Sequence, residues 1–468
     1  MSEESLQEKT SALWEKTQSH FYISSFSKLN RTFSPREITL AFAKEVAHRS
    51  TQKKYDVGFR HAMMGLETAW QLSSFYRTKS RWLPIGQMGW YGLCEASQDP
   101  VDFKKVLGPP PLSEELNFET LKKVYATQDF QKIFPLVVFL MRNPKDRKKF
   151  FAYLMSHVLS DELNMGNKAI YLCKTWHFCE AMKWENYAEI WFPVLHYILN
   201  TKPHLESYPI VEVFYNQNWK TLLAAIQKDD VVFPKEQFDA FREGIYQDER
   251  SQTLEKILRW IQEGQSLKSL FEVIKLSASD IVFQSSFERW VTAIYPLIYV
   301  ESLESCCSVM DPQDQVKALF MSALLVKKWA ILSKPFETPE QIPLKTIDEK
   351  NSPQYFLEYH IKHGRVAEAL GALDEMIQTQ KINEFTLELF AFCACKNDYT
   401  VMFAHDLKFA YASLHSYRMS HHPLKEKYLK ALTKLLAMQS KNPTLYHSLC
   451  NTQRIRLGYF SVDGDFNF

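Results

Sequence analysis

Two histidines at the beginning of amphipathic helical stretches are the first candidates for chemistry. His61 precedes small and apolar residues, and Glu67 follows it nearly two turns later. His405 begins a similar stretch that contains Tyr411. An inward-facing histidine can act as a general base or as a ligand. We therefore take these four residues as candidate catalytic residues. The alternative is that each histidine ring is satisfied by a backbone carbonyl or by water.

Sequence signatures of cofactor and metal sites are missing from the chain. It contains no G-x-x-x-x-G-K-[ST], no G-x-G-x-x-G and no G-x-S-x-G. Its eight cysteines form no C-x-x-C and no zinc-finger spacing with histidine. His360 and His363 are three residues apart, but the helix macrodipole explains histidines near a helix C-terminus. The sequence predicts no metal site, and the cofactor is unknown.

An aromatic stretch at residues 176–197 is a candidate for binding rather than catalysis. It holds three tryptophans, Trp176, Trp184 and Trp191. Aromatic residues at helical spacing are most often part of the hydrophobic core. The alternative is a concave apolar pocket for a flat ligand or for a partner helix. These tryptophans are therefore candidate ligand-binding or partner-binding residues.

Helices must position all of these residues, because the chain is poor in the residue that forms tight turns. It has 13 glycines in 468 residues, and 46% of it is hydrophobic, whereas glycine averages about 7% in soluble proteins. Apolar residues recur at three- and four-residue spacing, as in residues 254–270. No convincing pair of alternating strands occurs. The sequence predicts an all-α fold of stacked antiparallel helical hairpins.

Two stretches of the chain follow a similar plan of three successive helices. They cover residues 130–182 and 364–419, so that Asn167 lies 238 residues before His405. Unrelated helices with similar apolar spacing also align in this way. Two pseudo-repeated halves are therefore one interpretation, and a chance match between helices is the other.

An upstream match pairs residues 60–70 with residues 316–326, at an offset of 256. The domain hypothesis that follows from both matches has four parts: a helical extension (1–30), a first half (31–230), connecting helices (231–280) and a second half (281–468).

Charge and compartment limit the partners. Lys plus Arg is 56 and Asp plus Glu is 54, without the basic excess of a protein that grips nucleic acid. The beginning of the chain is polar and acidic, unlike a secretory signal, and no apolar run is long enough to span a bilayer. Cysteines within apolar helices suggest a reducing compartment. We expect a soluble cytoplasmic protein, with a secreted effector as the alternative.

The two histidine-headed helices, at 61–70 and 405–415, resemble those of bacterial questin oxidase-like helical proteins. The stretch KTWHFCEAMKWENYAEIWFPVLHYIL is also similar to helical regions of proteins that carry a Rieske iron–sulfur module. The resemblance implies an all-helical body in which such helices line an internal site that oxidises an aromatic substrate. This chain departs from the pattern at Asn167 and Lys317, and no C-x-H…C-x-x-H pair exists to hold a cluster.

Two hypotheses for function follow from these features. The first is a helical protein that binds a protein partner or an apolar small molecule through a concave apolar surface. The second is a questin oxidase-like oxidoreductase acting on an aromatic substrate. Convergence of His61 and His405 in one pocket would favour the enzyme.

Overall fold

The computed structural model describes most of the chain, and that part is mostly helical. The described residues are 3–14, 19–49, 57–77, 79–95, 117–162, 164–224, 226, 231–286, 289–333, 352–396 and 404–439. No strand occurs within these ranges. The predicted all-α fold class is therefore confirmed.

The first part of the chain forms eleven helices of the described structure. They are α1 (Glu3–Trp14), α2 (Ser19–Thr32), α3 (Pro35–His48), α4 (Val57–Leu72), α5 (Trp82–Glu95), α6 (Phe118–Tyr125), α7 (Phe130–Leu140), α8 (Pro144–Val158), α9 (Asn167–Ala181), α10 (Tyr187–Asn200) and α11 (Tyr208–Ala224).

The remaining described helices follow from residue 238 onward. They are α12 (Phe238–Gln247), α13 (Arg250–Gln262), α14 (Leu267–Gln284), α15 (Trp290–Ala293), α16 (Tyr295–Cys306), α17 (Pro312–Ser333), α18 (Pro353–Lys362), α19 (Val366–Gln378), α20 (Glu384–Ala394), α21 (His405–Met419) and α22 (Glu426–Met438). Helices α2 and α14 continue across the domain boundaries predicted at 30/31 and 280/281.

Four helices form a closed ring at the centre of the fold. Helix α4 packs against α9 and α21, and α16 packs against the same two helices from the opposite side. We call α4, α9, α16 and α21 the central ring. Side chains near the first residues of these helices contact one another, and side chains one to two turns further along the helices also contact one another. The four helices therefore run in the same direction. They are not consecutive in the chain, so the predicted stacking of antiparallel hairpins stays a prediction.

The helices around the ring occur in two sets with the same neighbours. Helix α3 contacts α4, α5 and α10, and α14 contacts α16, α17 and α22 in the same way. Adding 238 to the bounds of α9 gives those of α21, and adding 238 to the first residue of α4 gives that of α16. Packing thus pairs α4 with α16, whereas the sequence match had paired it with residues 316–326 of α17.

Candidate functional site

A group of four buried polar side chains lies near the beginnings of the ring helices. The rings of His61 and His405 have centroids 4.9 Å apart and are nearly perpendicular. The Tyr295 hydroxyl lies 2.9 Å from His405 Nε2, and Lys408 Nζ lies 2.6 Å from His61 Nδ1. We call these four residues the histidine layer. Three ring helices contribute to it, so the layer depends on the tertiary fold rather than on any local motif.

The starts of the helices set the positions of these side chains. Helix α21 begins at His405, directly after Ala404, which has a left-handed φ of 53°. Lys408 lies three residues later, on the same face of the helix. Helix α4 begins at Val57, so His61 lies a turn inside this helix and does not open it, contrary to the sequence-based expectation.

The protonation of the histidine layer follows from its contacts. An ammonium group can only donate a hydrogen bond, so Lys408 fixes Nδ1 of His61 as the acceptor and leaves the proton of the neutral ring on Nε2. Burial, and then the Lys408 charge, hold the pKa of His405 well below its ordinary value. His405 is therefore neutral at neutral pH and can accept a proton from a bound molecule.

A second group of ionisable residues lies further along the same ring. Lys174 Nζ is 3.4 Å from Glu67 Oε2 and 3.3 Å from Glu301 Oε2. The other oxygen of Glu301, Oε1, lies 3.3 Å from His415 Nδ1. The Lys174 ammonium also lies 4.6 Å from the centre of the Tyr411 ring. We call these five residues the charged layer, and all four ring helices contribute to it.

Burial and ion pairing act against each other in the charged layer. Burial raises the pKa of Glu67, and the nearby Lys174 only partly offsets this effect. Burial also raises the pKa of Glu301, but Lys174 and the hydrogen bond from His415 outweigh it, so the net direction is downward. For Lys174 burial lowers the pKa, and the two carboxylates reverse that effect. The pair of Lys174 and Glu301 is therefore ionised.

The four candidate catalytic residues divide between the two layers. Glu67 lies six residues beyond His61 along α4, and Tyr411 lies six residues beyond His405 along α21. Six residues of α-helix rise about 9 Å. The structure therefore brings all four onto inward faces of the central ring, with the histidines in one layer and Glu67 and Tyr411 beside Lys174 in the other.

A thiol, an imidazole and a carboxylate extend the charged layer toward the surface. His177 Nε2 lies 2.9 Å from Ser305 Oγ and 3.3 Å from Cys306 Sγ. His177 Nδ1 lies 3.6 Å from Glu180 Oε2. Burial raises the pKa of the Cys306 thiol well above its ordinary value, so this thiol stays protonated. A protonated, buried thiol is not an activated nucleophile.

The predicted tryptophan band lies mainly in the core. Trp191 is fully buried and Trp176 is almost so. Trp184 is partly buried, with its ring centroid 4.9 Å from that of Trp176 and the Arg147 guanidinium 4.4 Å from its centre. This is the core arrangement that the sequence favoured for such aromatic spacing. The alternative, that the band binds a ligand or a partner, stays a prediction and would require these rings to become accessible.

Three residues that contact the candidates were not predicted from the sequence. Lys174 and Glu301 are single charges inside apolar stretches, YLCKTWHFC and YPLIYVESL, and a charge in such a setting is itself a signal of a buried pair. Tyr295 opens its helix just as His405 does, but nothing local distinguishes it from the other tyrosines.

No group of three or more histidine, cysteine, aspartate or glutamate side chains within the described ranges is arranged to hold a metal ion. Likewise, none of the helices described is long and apolar enough to cross a membrane.

Comparisons with models of known families, with curated proteins and with solved structures each find no match.

Proposed function

We propose that the protein is an enzyme that binds a small apolar molecule in the central ring and moves a proton on it. The histidine layer is the proposed catalytic group. In keeping with the family resemblance, the proposed substrate is aromatic and the overall reaction is an oxidation. We propose molecular oxygen as the acceptor of the electrons in this oxidation, and we assign the proton-transfer part of the reaction to the histidine layer.

The convergence of His61 and His405 carries this proposal. These residues are 344 positions apart in the sequence, yet their ring centroids lie 4.9 Å apart in a buried site. Placing two imidazoles and an ammonium out of water is unfavourable unless other interactions compensate. Such groups gathered inside one fold are a recognised sign of a functional site, although structural networks also contain them.

The residues of the histidine layer would divide the work in the following way. Neutral His405 is the proposed acceptor of the substrate's proton. Burial lowers its pKa and keeps the ring unprotonated at rest, and negative charge that develops on a substrate beside it favours the protonated ring during the transfer. The Tyr295 hydroxyl, 2.9 Å from Nε2, orients this ring. The Nε2 proton of His61 and the Lys408 ammonium stabilise negative charge that develops on the substrate.

A mutant series tests the proposal directly. Candidate aromatic compounds are incubated with the protein under air, and products are followed by mass spectrometry. We expect turnover of at least one compound, and a loss of about 10²-fold or more in His405→Gln, as is typical for removal of a general base. The matched control is His363→Gln, because His363 is exposed at the end of α18. Equal turnover in both variants, with both folded, would rule out the assigned role of His405.

We also propose that the two sets of helices arose by internal duplication. The constant offset of 238 between α9 and α21 supports this. At the same offset, His61 corresponds to Tyr299 and His405 corresponds to Asn167. Only one of the two equivalent positions would then retain the histidine pair, which gives the chain a single proposed site. Separately expressed halves that associate into a helical complex would support the duplication, and halves that stay unfolded together would argue against it.

Two exposed apolar residues on one face of α11 support partner binding as a second candidate function. Ile210 and Val213 are three residues apart on this helix, so their side chains are neighbours, and their exposed fractions are 36% and 58%. Exposed apolar residues that are clustered often mark an interaction site. The double variant Ile210→Ser and Val213→Ser should leave the melting temperature unchanged and abolish co-purification with a cellular partner. Unchanged co-purification would remove this candidate.

A further inference from the structure

A groove on one face of α3 forms a cavity separate from the residues of the central ring. Its volume is about 320 Å³, which lies at the small end of the range for small-molecule sites. Its lining follows α3 at the spacing of one helical face, from Phe33 just before the helix to Lys44 near its end. Helix α1 and the turn before α10 form the other walls. We call this cavity the α3 groove.

The middle of the α3 groove is apolar. Leu6, Leu40 and Ala41 line it, and each leaves only 4–6% of its surface exposed. The Phe33 ring, which is partly buried, lies at one end. A hydrocarbon chain along the groove would cover this limited area and part of the Phe33 ring, which is favourable by about 25 cal/mol for each Å² of apolar surface covered.

The two ends of the α3 groove carry different charge. One end has Arg36, Glu37 and Glu185, of which Arg36 Nη2 bonds Glu185 Oε1 at 2.8 Å. Hydrogen bonds from Ser34 lower the pKa of Glu37, so this carboxylate stays ionised. The net charge at this end is therefore negative.

The other end of the α3 groove carries Lys44. This lysine makes no ion pair with any side chain that the structure describes, and on α1 those side chains are the ones at residues 6–13. The neighbouring Glu45 is already engaged by Ser11 at 2.8 Å and by Arg49 at 3.2 Å. Lys44 lies eight residues beyond Arg36, so the two ends of the groove are separated by about 12 Å along the helix.

We propose that the α3 groove binds a medium-chain monocarboxylate, with the carboxylate at Lys44 and the hydrocarbon chain over Leu40 and Ala41. Lys44, whose ammonium group makes no ion pair with a described side chain, supplies the charge that recognises the head group. The negative end disfavours a second carboxylate, so a dicarboxylate of the same length binds less well. A neutral alcohol lacks the group that Lys44 recognises. A comparison of octanoate with octanedioate tests the effect of the negative end, and a comparison of octanoate with 1-octanol tests recognition of the carboxylate.

Isothermal titration calorimetry on the full chain tests the proposal. We expect octanoate to bind with a stoichiometry of one and more tightly than either octanedioate or 1-octanol. The Lys44→Gln variant should weaken octanoate by about fivefold, the upper range for a partly exposed ion pair, and leave 1-octanol unchanged. Lys44→Glu should weaken octanoate further. The matched control is Lys28→Gln, since Lys28 is exposed on α2 and does not line the groove.

Three results would overturn the proposal. One is the absence of octanoate binding to the folded wild-type protein, and another is equal affinity for octanoate in Lys44→Gln and Lys28→Gln. The third is loss of octanoate binding in His405→Gln with full retention in Lys44→Gln, because the ligand would then occupy the central ring. The groove proposal and the enzyme proposal therefore succeed or fail on different variants.

Discussion

Lys174→Met is the substitution that probes the charged layer most sharply. The change keeps a long side chain of similar volume and removes the ammonium group that lies between Glu67 and Glu301. It leaves two carboxylates inside the ring, each almost completely buried. Removing one partner of a buried ion pair typically costs about 3–5 kcal/mol, because the remaining charge stays desolvated. We expect a loss within this range at neutral pH.

The pH dependence gives this prediction a distinctive sign. In wild type, the pKa of Glu301 is lower in the folded protein than in the unfolded chain. Its ionised form therefore stabilises the fold above the unfolded pKa, and this stabilisation is lost as the pH falls through the lower, folded pKa. In Lys174→Met the pKa of both carboxyls should rise through burial. The folded variant then takes up protons as the pH falls from about 7 to 5. The difference in the free energy of unfolding between the variant and wild type should therefore become smaller as the pH falls over this range.

Equilibrium unfolding in urea, followed by far-UV circular dichroism, measures the gap at each pH. The matched control is Lys148→Met, because Lys148 is exposed on α8. The control should change the free energy of unfolding by less than about 0.5 kcal/mol, as surface substitutions usually do. A loss below about 1 kcal/mol in Lys174→Met, or a loss that stays constant with pH, would refute the buried ion pairs.

Three further predictions concern the frame around the site. Gly166→Ala should lower the free energy of unfolding in urea by more than about 2 kcal/mol. Its φ is +75°, and a Cβ at this position would lie 2.3 Å from a tyrosine ring. Gly264→Ala is the control, because a Cβ there meets only backbone strain and should cost less. Trp191→Ala should lower the free energy of unfolding by about 3–5 kcal/mol, because it truncates a core side chain. Trp219 is exposed, so Trp219→Ala should leave the melting temperature nearly unchanged. Equal effects of the two substitutions would contradict the assigned burial. Burial raises the pKa of Asp314 to about 6, so Asp314→Asn should raise the free energy of unfolding at pH 7 by up to about 3 kcal/mol. This gain should shrink as the pH falls below about 6 and be lost near about pH 4, where the carboxyl of the unfolded chain is protonated as well. A gain that is unchanged at about pH 4 would contradict the raised pKa.

The fold class was accessible from sequence because it depends on local properties. Scarce glycine and apolar spacing at three and four residues determine helix formation nearly everywhere. The direction and neighbours of the ring helices were not accessible, since they depend on contacts between residues far apart in the chain. The match of residues 60–70 with 316–326 shows this limit. Both stretches are apolar helices, whereas the positions of α4 and α16, which each pack against α9 and α21, are visible only in the packing.

The candidate site was accessible in part for a similar reason. A helix that opens on a histidine is visible in sequence, and His405 does begin α21. The partner of each charge is not visible in this way. Lys174 could be recognised as a charge within an apolar stretch, but its pairing with Glu301 depends on how α9 and α16 pack. Tyr295 gives no local signal, because its role arises only from contact with His405.

Histidine-ring NMR across a pH series tests the central claim most directly. The His405 resonances, assigned with His405→Gln, should stay in the neutral form between about pH 8 and pH 6, since burial and Lys408 hold the pKa of this ring well below its ordinary value. Contacts between the ring protons of His61 and His405 should appear in the same spectra. A His405 ring that titrates near about 6.5, the value for an exposed histidine, and shows no contact to His61 would contradict the buried histidine layer.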